Sequence, residues 1–445
     1  MTSYKMARRQ RTFVLSLLAV TAFATPAAAK AVPDPLNSGD TAWMITSSAL
    51  VLLMTVPGLA LFYSGMVRRK NMLATAAQSF GATCIVTVLW MLIGYSIAFT
   101  NNSNSAANQF IGSFNDLLLG PMGVRSVNPL AGTIPESVYM FFQMTFAIIT
   151  PALIAGAIAD RMKFSAFMWF MALWLLLVYC PIAHWVWGGG WLGSMGALDY
   201  AGGTVVHLNA GTAGLVACLM LGKRTGFGTD NMAPHNLLFS VLGASLLWVG
   251  WFGFNAGSAA TAGYNAGMAA AATQIAAAAA ALAWMAAEWV VARKPSVLGM
   301  ISGAVAGLVA ITPASGYVNP LGALIIGITA GVVCYLAAVH MKHLFGYDDA
   351  LDAWGVHGIG GALGALLTGA LASHAINSSA LGWLTDGNGR QMLIQFYDVA
   401  ATFTYCAVMT AVILLAIKAA IGLRVSRETE VEGLDINLHG ETVHG

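Results

Sequence analysis

Apolar runs with little or no charge set the limits on this chain. A helix needs about 20 such residues to cross the hydrocarbon core of a bilayer. Runs of that length recur eleven times, at roughly 41–66, 73–99, 136–159, 164–184, 203–222, 237–257, 264–290, 297–315, 320–341, 354–373 and 393–421. Charged residues make up only 9% of the sequence, against about 25% in a soluble domain. Lipid is therefore the main solvent, and the reading is an all-α integral membrane protein with eleven transmembrane helices. The 49 glycines agree, because small residues let helix backbones approach closely in lipid. A net charge of +2 gives no sign of a nucleic-acid partner.

The first 29 residues differ. Lys5, Arg8, Arg9 and Arg11 precede a short apolar stretch from Thr12 to Ala24, and then comes T-P-A-A-A-K. A basic start, a short apolar centre and small residues at the end read as a removable signal peptide, 1–29. The membrane domain is then 30–423. Residues 424–445 are polar and acidic, cannot span, and form a tail that is either solvated or docked on the inner face. The five cysteines, Cys84, Cys180, Cys218, Cys334 and Cys406, each fall inside an apolar segment without metal-ligand spacing. They read as small buried apolar residues, and no metal or other cofactor is expected.

Charge sets the orientation. Thirteen Lys and Arg residues between Arg68 and Arg427 fall on one set of alternate connections, while Lys30, Arg125 and Arg390 fall on the other. The positive-inside rule puts the mature N-terminus outside and the C-terminus inside, as an odd number of spans requires.

Two spans share a pattern. T-V-V-H-L-N-A-G at 204–211 and A-W-G-V-H-G-I-G-G at 353–361 each set one histidine, His207 or His357, in an apolar run. Asp199 and Asp349 lie eight residues before them, and Gly211 and Gly361 lie four residues after. The spacing predicts an inverted repeat of five helices each, plus one extra helix, a plan common in transport proteins. Eight residues of helix cover about 12 Å, against a half-core of about 15 Å. Both histidines would reach the midplane from opposite sides and meet there.

An ionisable side chain inside a span is a functional candidate by default. Burial favours neutral imidazole, which carries one donor and one acceptor nitrogen. Two adjacent rings could share a proton and offer their outer nitrogens to a small polar guest; the alternative is a pair of packing histidines. No carboxylate at the midplane suggests a sodium or potassium site, and no third ligand suggests a metal. On the outer side, Trp185 and Trp187 end the fourth span, Phe142 and Phe146 lie one turn apart, and so do Phe254 and Ser258. Aromatic faces attract cations, yet aromatics at a membrane interface also serve as an anchoring belt. Asp199 could cap the fifth helix or stabilise a nearby cation. Asp349 and Asp352 read as helix-start residues, His184 as an interfacial residue, and Asp398 in the last span has no match in the other half.

These residues resemble the ammonium transporter family, Amt/Mep, with Rh proteins as distant relatives. The resemblance rests on D-Y-A-G-G-T-V-V-H at 199–207, G-K-R at 222–224, P-I-A-H-W-V-W-G-G-G at 181–190, G-W-F-G-F-N-A-G-S at 250–258, D-A-W-G-V-H-G-I-G-G at 352–361, G-L-R-V at 422–425 and G-L-D-I-N-L-H-G-E at 433–441. It covers nearly everything after residue 40. It implies a homotrimer with a narrow hydrophobic pore in each subunit, in a bacterial inner membrane. It implies an ammonium-recruiting site at Phe146, Trp187 and Ser258, supported by Asp199, and a gate of Phe146 and Phe254 with Phe142 close by. His207 and His357 would line the pore, and a PII-type (GlnK-like) protein would bind the cytoplasmic face. The chain would be a transporter of ammonium and ammonia, and not an enzyme. An Rh-type gas channel fits the outer aromatics less well than cation capture does. A sensor would need an output domain longer than this tail.

Overall fold

The computed structural model describes residues 36–443; the signal-peptide reading of 1–29 lies outside them. Among the described residues there is no strand, only one isolated antiparallel bridge between Met162 and Arg424. Among the described residues, ten helices are long and apolar enough to cross a membrane. They are α1 (Ser38–Met66), α2 (Arg69–Phe99), α3 (Glu136–Ile158), α4 (Phe164–Met195), α5 (Gly203–Leu221), α6 (Leu237–Gly257), α7 (Tyr264–Ala292), α9 (Pro320–Phe345), α10 (Trp354–Leu371) and α11 (Gly389–Ile421). The shorter apolar helix α8 (Val297–Ile311) makes the eleventh. The chain is thus a multi-pass, all-helical membrane protein, as its apolar runs predict.

Helix starts follow local chemistry. The side chains of Asn37, Asn236, Ser296 and Asn319 accept from backbone N–H groups of the first turns of α1, α6, α8 and α9. Those donors have no partner within the helix. Pro320 begins α9, where its missing N–H costs nothing. Large apolar side chains such as Phe80, Trp169, Leu282, Val290 and Phe396 point outward. That surface suits hydrocarbon rather than water. Four of the cysteines are buried, but Cys84 is exposed on this outer surface, contrary to the expectation for it. Its segment is apolar all round, and sequence alone does not tell a lipid-facing from a core-facing position on such a helix.

The packing places the site. Helix α6 lies on α1, α3 on α5, and α11 on both α5 and α10, while α7 packs against α8 and α9. At the centre α5 crosses α10, and the repeated glycines explain how. A Cβ on Gly211 would stand 2.2 Å from the amide nitrogen of Gly358, and one on Gly361 would stand 2.5 Å from the carbonyl of Gly203. Each glycine, four residues beyond a histidine, admits the other helix's backbone. Both histidines also sit in π-helical turns, Gly203–Leu208 and Trp354–Gly358. Such widened turns recur at functional positions because they re-aim side chains.

The tail is docked. A short helix α12 (Arg427–Glu432) follows the Met162–Arg424 bridge. Glu430 is buried, pairs with Arg424 at 2.7 Å and accepts from the Thr225 amide at 2.7 Å. Asp435 accepts from the Leu73 and Ala74 amides at 3.1 and 2.8 Å, at the start of α2. Beneath it, Arg224 grips Asp348 at 2.7 Å, and Arg68 pairs with Asp160 at 3.0 Å. Of the two states open to the tail, the docked one is found.

Candidate functional site

A cavity of about 270 Å³ opens on the side of the bundle away from the tail, lined by Tyr139, Phe142, Gln143, Phe146, Trp187 and Ser258 among others. Phe142 and Phe146 project from one face of α3, four residues apart, with ring centroids 4.9 Å apart. Trp187 follows the last helical turn of Cys180–Val186 and meets Phe146 edge-on at 5.9 Å. Its indole N–H donates to the Asp199 carbonyl at 2.8 Å, which fixes the ring plane. The Ser258 hydroxyl donates back to the Phe254 carbonyl at 2.8 Å, so its oxygen lone pairs remain free to accept.

Asp199 is a cap of unusual completeness. Its Oδ1 accepts from the amides of Gly202 and Gly203 at 2.8 and 2.5 Å. Its Oδ2 accepts from the amides of Thr204 and Val205 at 2.9 and 3.0 Å, and from the Thr204 hydroxyl at 2.7 Å. The carboxylate is buried at the start of α5, where aligned peptide dipoles favour negative charge. Capping does not exclude a cation role, since a fixed negative charge lies one layer behind the cavity wall at Trp187.

Below the cavity Phe146 and Phe254 stack at 4.1 Å with planes 28° apart, both buried. They close the floor. Next comes His207, stacked at 5.8 Å on Phe254 and at 5.3 Å on Trp251. His207 Nδ1 lies 3.3 Å from His357 Nδ1. Beyond His357 a narrow space of about 40 Å³ is lined by Phe62, Tyr63, Val305, Asp352 and Val356 and leads toward the tail side. Phe142, Phe146, Trp187, Ser258, Phe254, His207 and His357 thus follow one another from the cavity inward, with Asp199 behind Trp187.

Other positions differ from expectation or were missed. His184 is fully buried rather than interfacial: its ring nitrogens meet the carbonyls of Ala98 and Asn108 at 2.9 and 2.8 Å. Asp349 accepts from the Trp354 amide at 2.7 Å, as a helix-start residue does. Asp352 also stands at the helix start, its carbonyl accepting from the Val356 amide at 3.0 Å; it has a left-handed backbone (φ 60°) and its side chain pairs with Lys342. Trp251, beneath His207, was legible as the residue three before Phe254, on the same helix face. Asp398, unassigned in the sequence, stands beside Asp199, with its Oδ2 3.0 Å from the Thr204 hydroxyl. Its signal was the stripe Gln391, Gln395, Asp398, Thr402, Cys406 and Thr410, all buried on one face of α11. No cluster of three metal-ligating side chains occurs among the described residues.

Comparison with known proteins gives one answer. Residues 42–444 match the model of the Ammonium Transporter Family. An ammonium transporter of Bacillus subtilis is 47% identical over 409 residues, covering 92% of this chain and 99% of that protein. The crystal structure of Saccharomyces cerevisiae Mep2 superposes with a TM-score of 0.82 at 36% identity, over 89% of this chain and 92% of that one. A sensor Amt protein superposes with a TM-score of 0.81 at 27% identity, over 90% of this chain and 98% of that one.

Proposed function

The chain belongs to the ammonium transporter family, and from that premise we propose how its own residues carry the substrate. The cavity at Phe146, Trp187 and Ser258 recruits ammonium. The ring faces attract the cation, the Ser258 oxygen accepts one of its N–H bonds, and the Asp199 carboxylate supplies negative charge from behind. The single observation that carries this reading is the alignment of that cavity, the Phe146–Phe254 stack and the His207–His357 pair.

Magnitudes decide what passes the stack. Aromatic faces contribute ~0.5–2 kcal/mol toward a cation. Taking a monovalent ion out of water into an apolar interior costs several kcal/mol even after relaxation. At the histidines the path is lined by rings and aliphatic side chains, and Asp352, the carboxylate lining the space beyond His357, is paired with Lys342, so the penalty is not offset there. Ammonium therefore loses a proton at the gate, and ammonia, an uncharged donor and acceptor, passes the two rings. Phe142 and Phe146 hold the cation while Phe254 swings aside.

The same reading places the N-terminus outside and the C-terminus inside, with 30–423 as the transport domain and 424–445 as a cytoplasmic tail, in a bacterial inner membrane. It includes a homotrimer, each subunit with its own pore, and a PII-type regulatory protein on the tail face. The signal peptide at 1–29 belongs to it as well. The test is solid-supported membrane electrophysiology on proteoliposomes after an ammonium pulse. A transient lost in both His207→Ala and His357→Ala supports charge-coupled transport through the pair. A full transient in both variants sinks it, and an internal pH change without current would instead indicate a passive ammonia pore.

A further inference from the structure

Asp398 has a role that follows from counting protons. The Thr204 hydroxyl oxygen lies 2.7 Å from Asp199 Oδ2 and 3.0 Å from Asp398 Oδ2. A hydroxyl has one hydrogen and donates to one acceptor. The second contact needs a hydrogen from one of the carboxyl groups. Asp199 has no room for it, because two amides fill Oδ1 and two amides and the hydroxyl fill Oδ2. Asp398 has the room: its carboxyl meets only two hydroxyls, those of Thr204 and Thr402, and Oδ1 is buried without a hydrogen-bond partner. Two carboxylates joined through one hydroxyl, both buried, also cannot both ionise cheaply.

We infer that Asp398 is a neutral carboxylic acid in the resting protein. Its O–H donates to Thr204 Oγ1, and the Thr204 O–H donates to Asp199. The negative charge stays on Asp199. Asp398 is a positioning residue, since it touches Thr204 and not the ammonium; its proton fixes the direction of the hydroxyl that holds Asp199 Oδ2 in place. The consequence for ammonium rests on the role proposed for Asp199. The protonation of Asp398 does not.

The test is infrared spectroscopy of the full chain in lipid, in H₂O and D₂O. A protonated carboxyl has a C=O stretch separate from the carboxylate and amide bands, and it shifts down in D₂O. The expected result is such a band in the wild type that disappears in Asp398→Asn and moves in Thr204→Val, which keeps the acid and removes its acceptor. A wild-type spectrum without the band, or one unchanged by both substitutions, overturns the inference. The positioning role has its own readout in the ammonium current. The amide of Asp398→Asn can still donate to Thr204, whereas Asp398→Leu cannot. The current is expected to fall at least tenfold further in Asp398→Leu than in Asp398→Asn. Equal currents in the two variants would remove the positioning role. If the histidine variants keep their current while the band behaves as stated, the transport reading fails and Asp398 stands.

Discussion

His207 Nδ1 and His357 Nδ1, on residues 150 positions apart, lie 3.3 Å from each other. Between two neutral rings one of these nitrogens must donate and the other accept. The donor ring then has a bare Nε2 and the acceptor ring a protonated one. The pair thus presents one acceptor and one donor Nε2, and His207 Nε2 is buried without a protein partner. On the proposed route ammonia, both donor and acceptor, would match that pairing, and an alkali ion would not.

A carboxylate at either position should change what the pore refuses. At 4 Å and an effective dielectric of about 20, opposite charges attract by about 4 kcal/mol. That is similar to the several-kcal/mol desolvation penalty of a single ion. His207→Asp and His357→Asp are therefore expected to admit potassium, with a potassium-evoked current rising from background to the scale of the ammonium current. Paired potassium and ammonium pulses on proteoliposomes measure this. Potassium exclusion as complete as in the wild type would remove the pair from any part in selectivity.

The crossing that brings the histidines together should be intolerant of one methyl group. A Cβ at residue 211 would lie 2.2 Å from Gly358 N and 2.4 Å from Gly358 Cα, both backbone atoms that cannot rotate away. Overpacking of this kind costs about 1–3 kcal/mol, occasionally more. Gly211→Ala and Gly361→Ala should lower the thermal midpoint in detergent by several degrees. They should also reduce transport by more than Ala substitution at Gly267, where a Cβ meets nothing within 4 Å. Midpoints alike for all three would show that the close approach is not needed.

The arrangement was legible in the sequence wherever one residue type had one job. Apolar runs located every span, because lipid tolerates nothing else at that length. The repeated Asp–His–Gly spacing located the crossing, because helix rise turns spacing into depth. What stayed hidden depended on contacts between distant segments. Asp398 becomes meaningful only when α11 lies against Asp199 and Thr204. His184 reads as interfacial until the carbonyls of Ala98 and Asn108 close over it. The tail's polar composition was compatible with solvent, and its contacts with Asn71, Leu73, Ala74 and Thr225 reveal where it binds.

Docking of that tail turns on Gly433, whose backbone is left-handed at φ 127° and whose Cβ position is 2.8 Å from Lys70 Cβ and 2.9 Å from Lys70 O. Any L-residue there is strained, and Ala where φ is positive destabilises by more than the ~0.4–1 kcal/mol that Gly→Ala gains elsewhere. Next to it Leu434 N donates to Asn71 Oδ1 at 2.8 Å. Gly433→Ala should release the tail from Arg424 onward, α12 included, while leaving the span bundle folded. Limited proteolysis reads this directly: cleavage after Arg424 or Arg427 should be at least several-fold faster in the variant, with an unchanged thermal midpoint. Equal cleavage rates would mean that Glu430 and Asp435 hold the tail without the turn.

Adjacent aspartates on the tail side should respond oppositely to pH. Burial works against the charge of Asp348, but the Arg224 guanidinium bonded to it outweighs burial and holds its carboxyl below the ordinary value. Asp349 has no such partner. Burial, reinforced by the charge of Asp352, pushes it from 3.8 up to about 6, against smaller opposing effects of Lys342 and the Trp354 and Ala353 amides. Its Oδ1 is buried without a hydrogen-bond partner. A folded value above the unfolded one means that the folded state binds the proton more tightly. The protein is therefore stabilised as pH falls through about 6 toward 4, and that stabilisation is lost as pH rises through about 6. At about 1.4 kcal/mol per unit the effect is about 3 kcal/mol. Asp349→Asn keeps an oxygen for the Trp354 amide and removes the charge. It should melt several degrees higher than the wild type at pH 7.5, and the gap should shrink by about two thirds by pH 4.5 and close only below 3.8. Melting curves of both proteins across that range measure the difference directly, and a gap constant with pH would show that Asp349 does not titrate there.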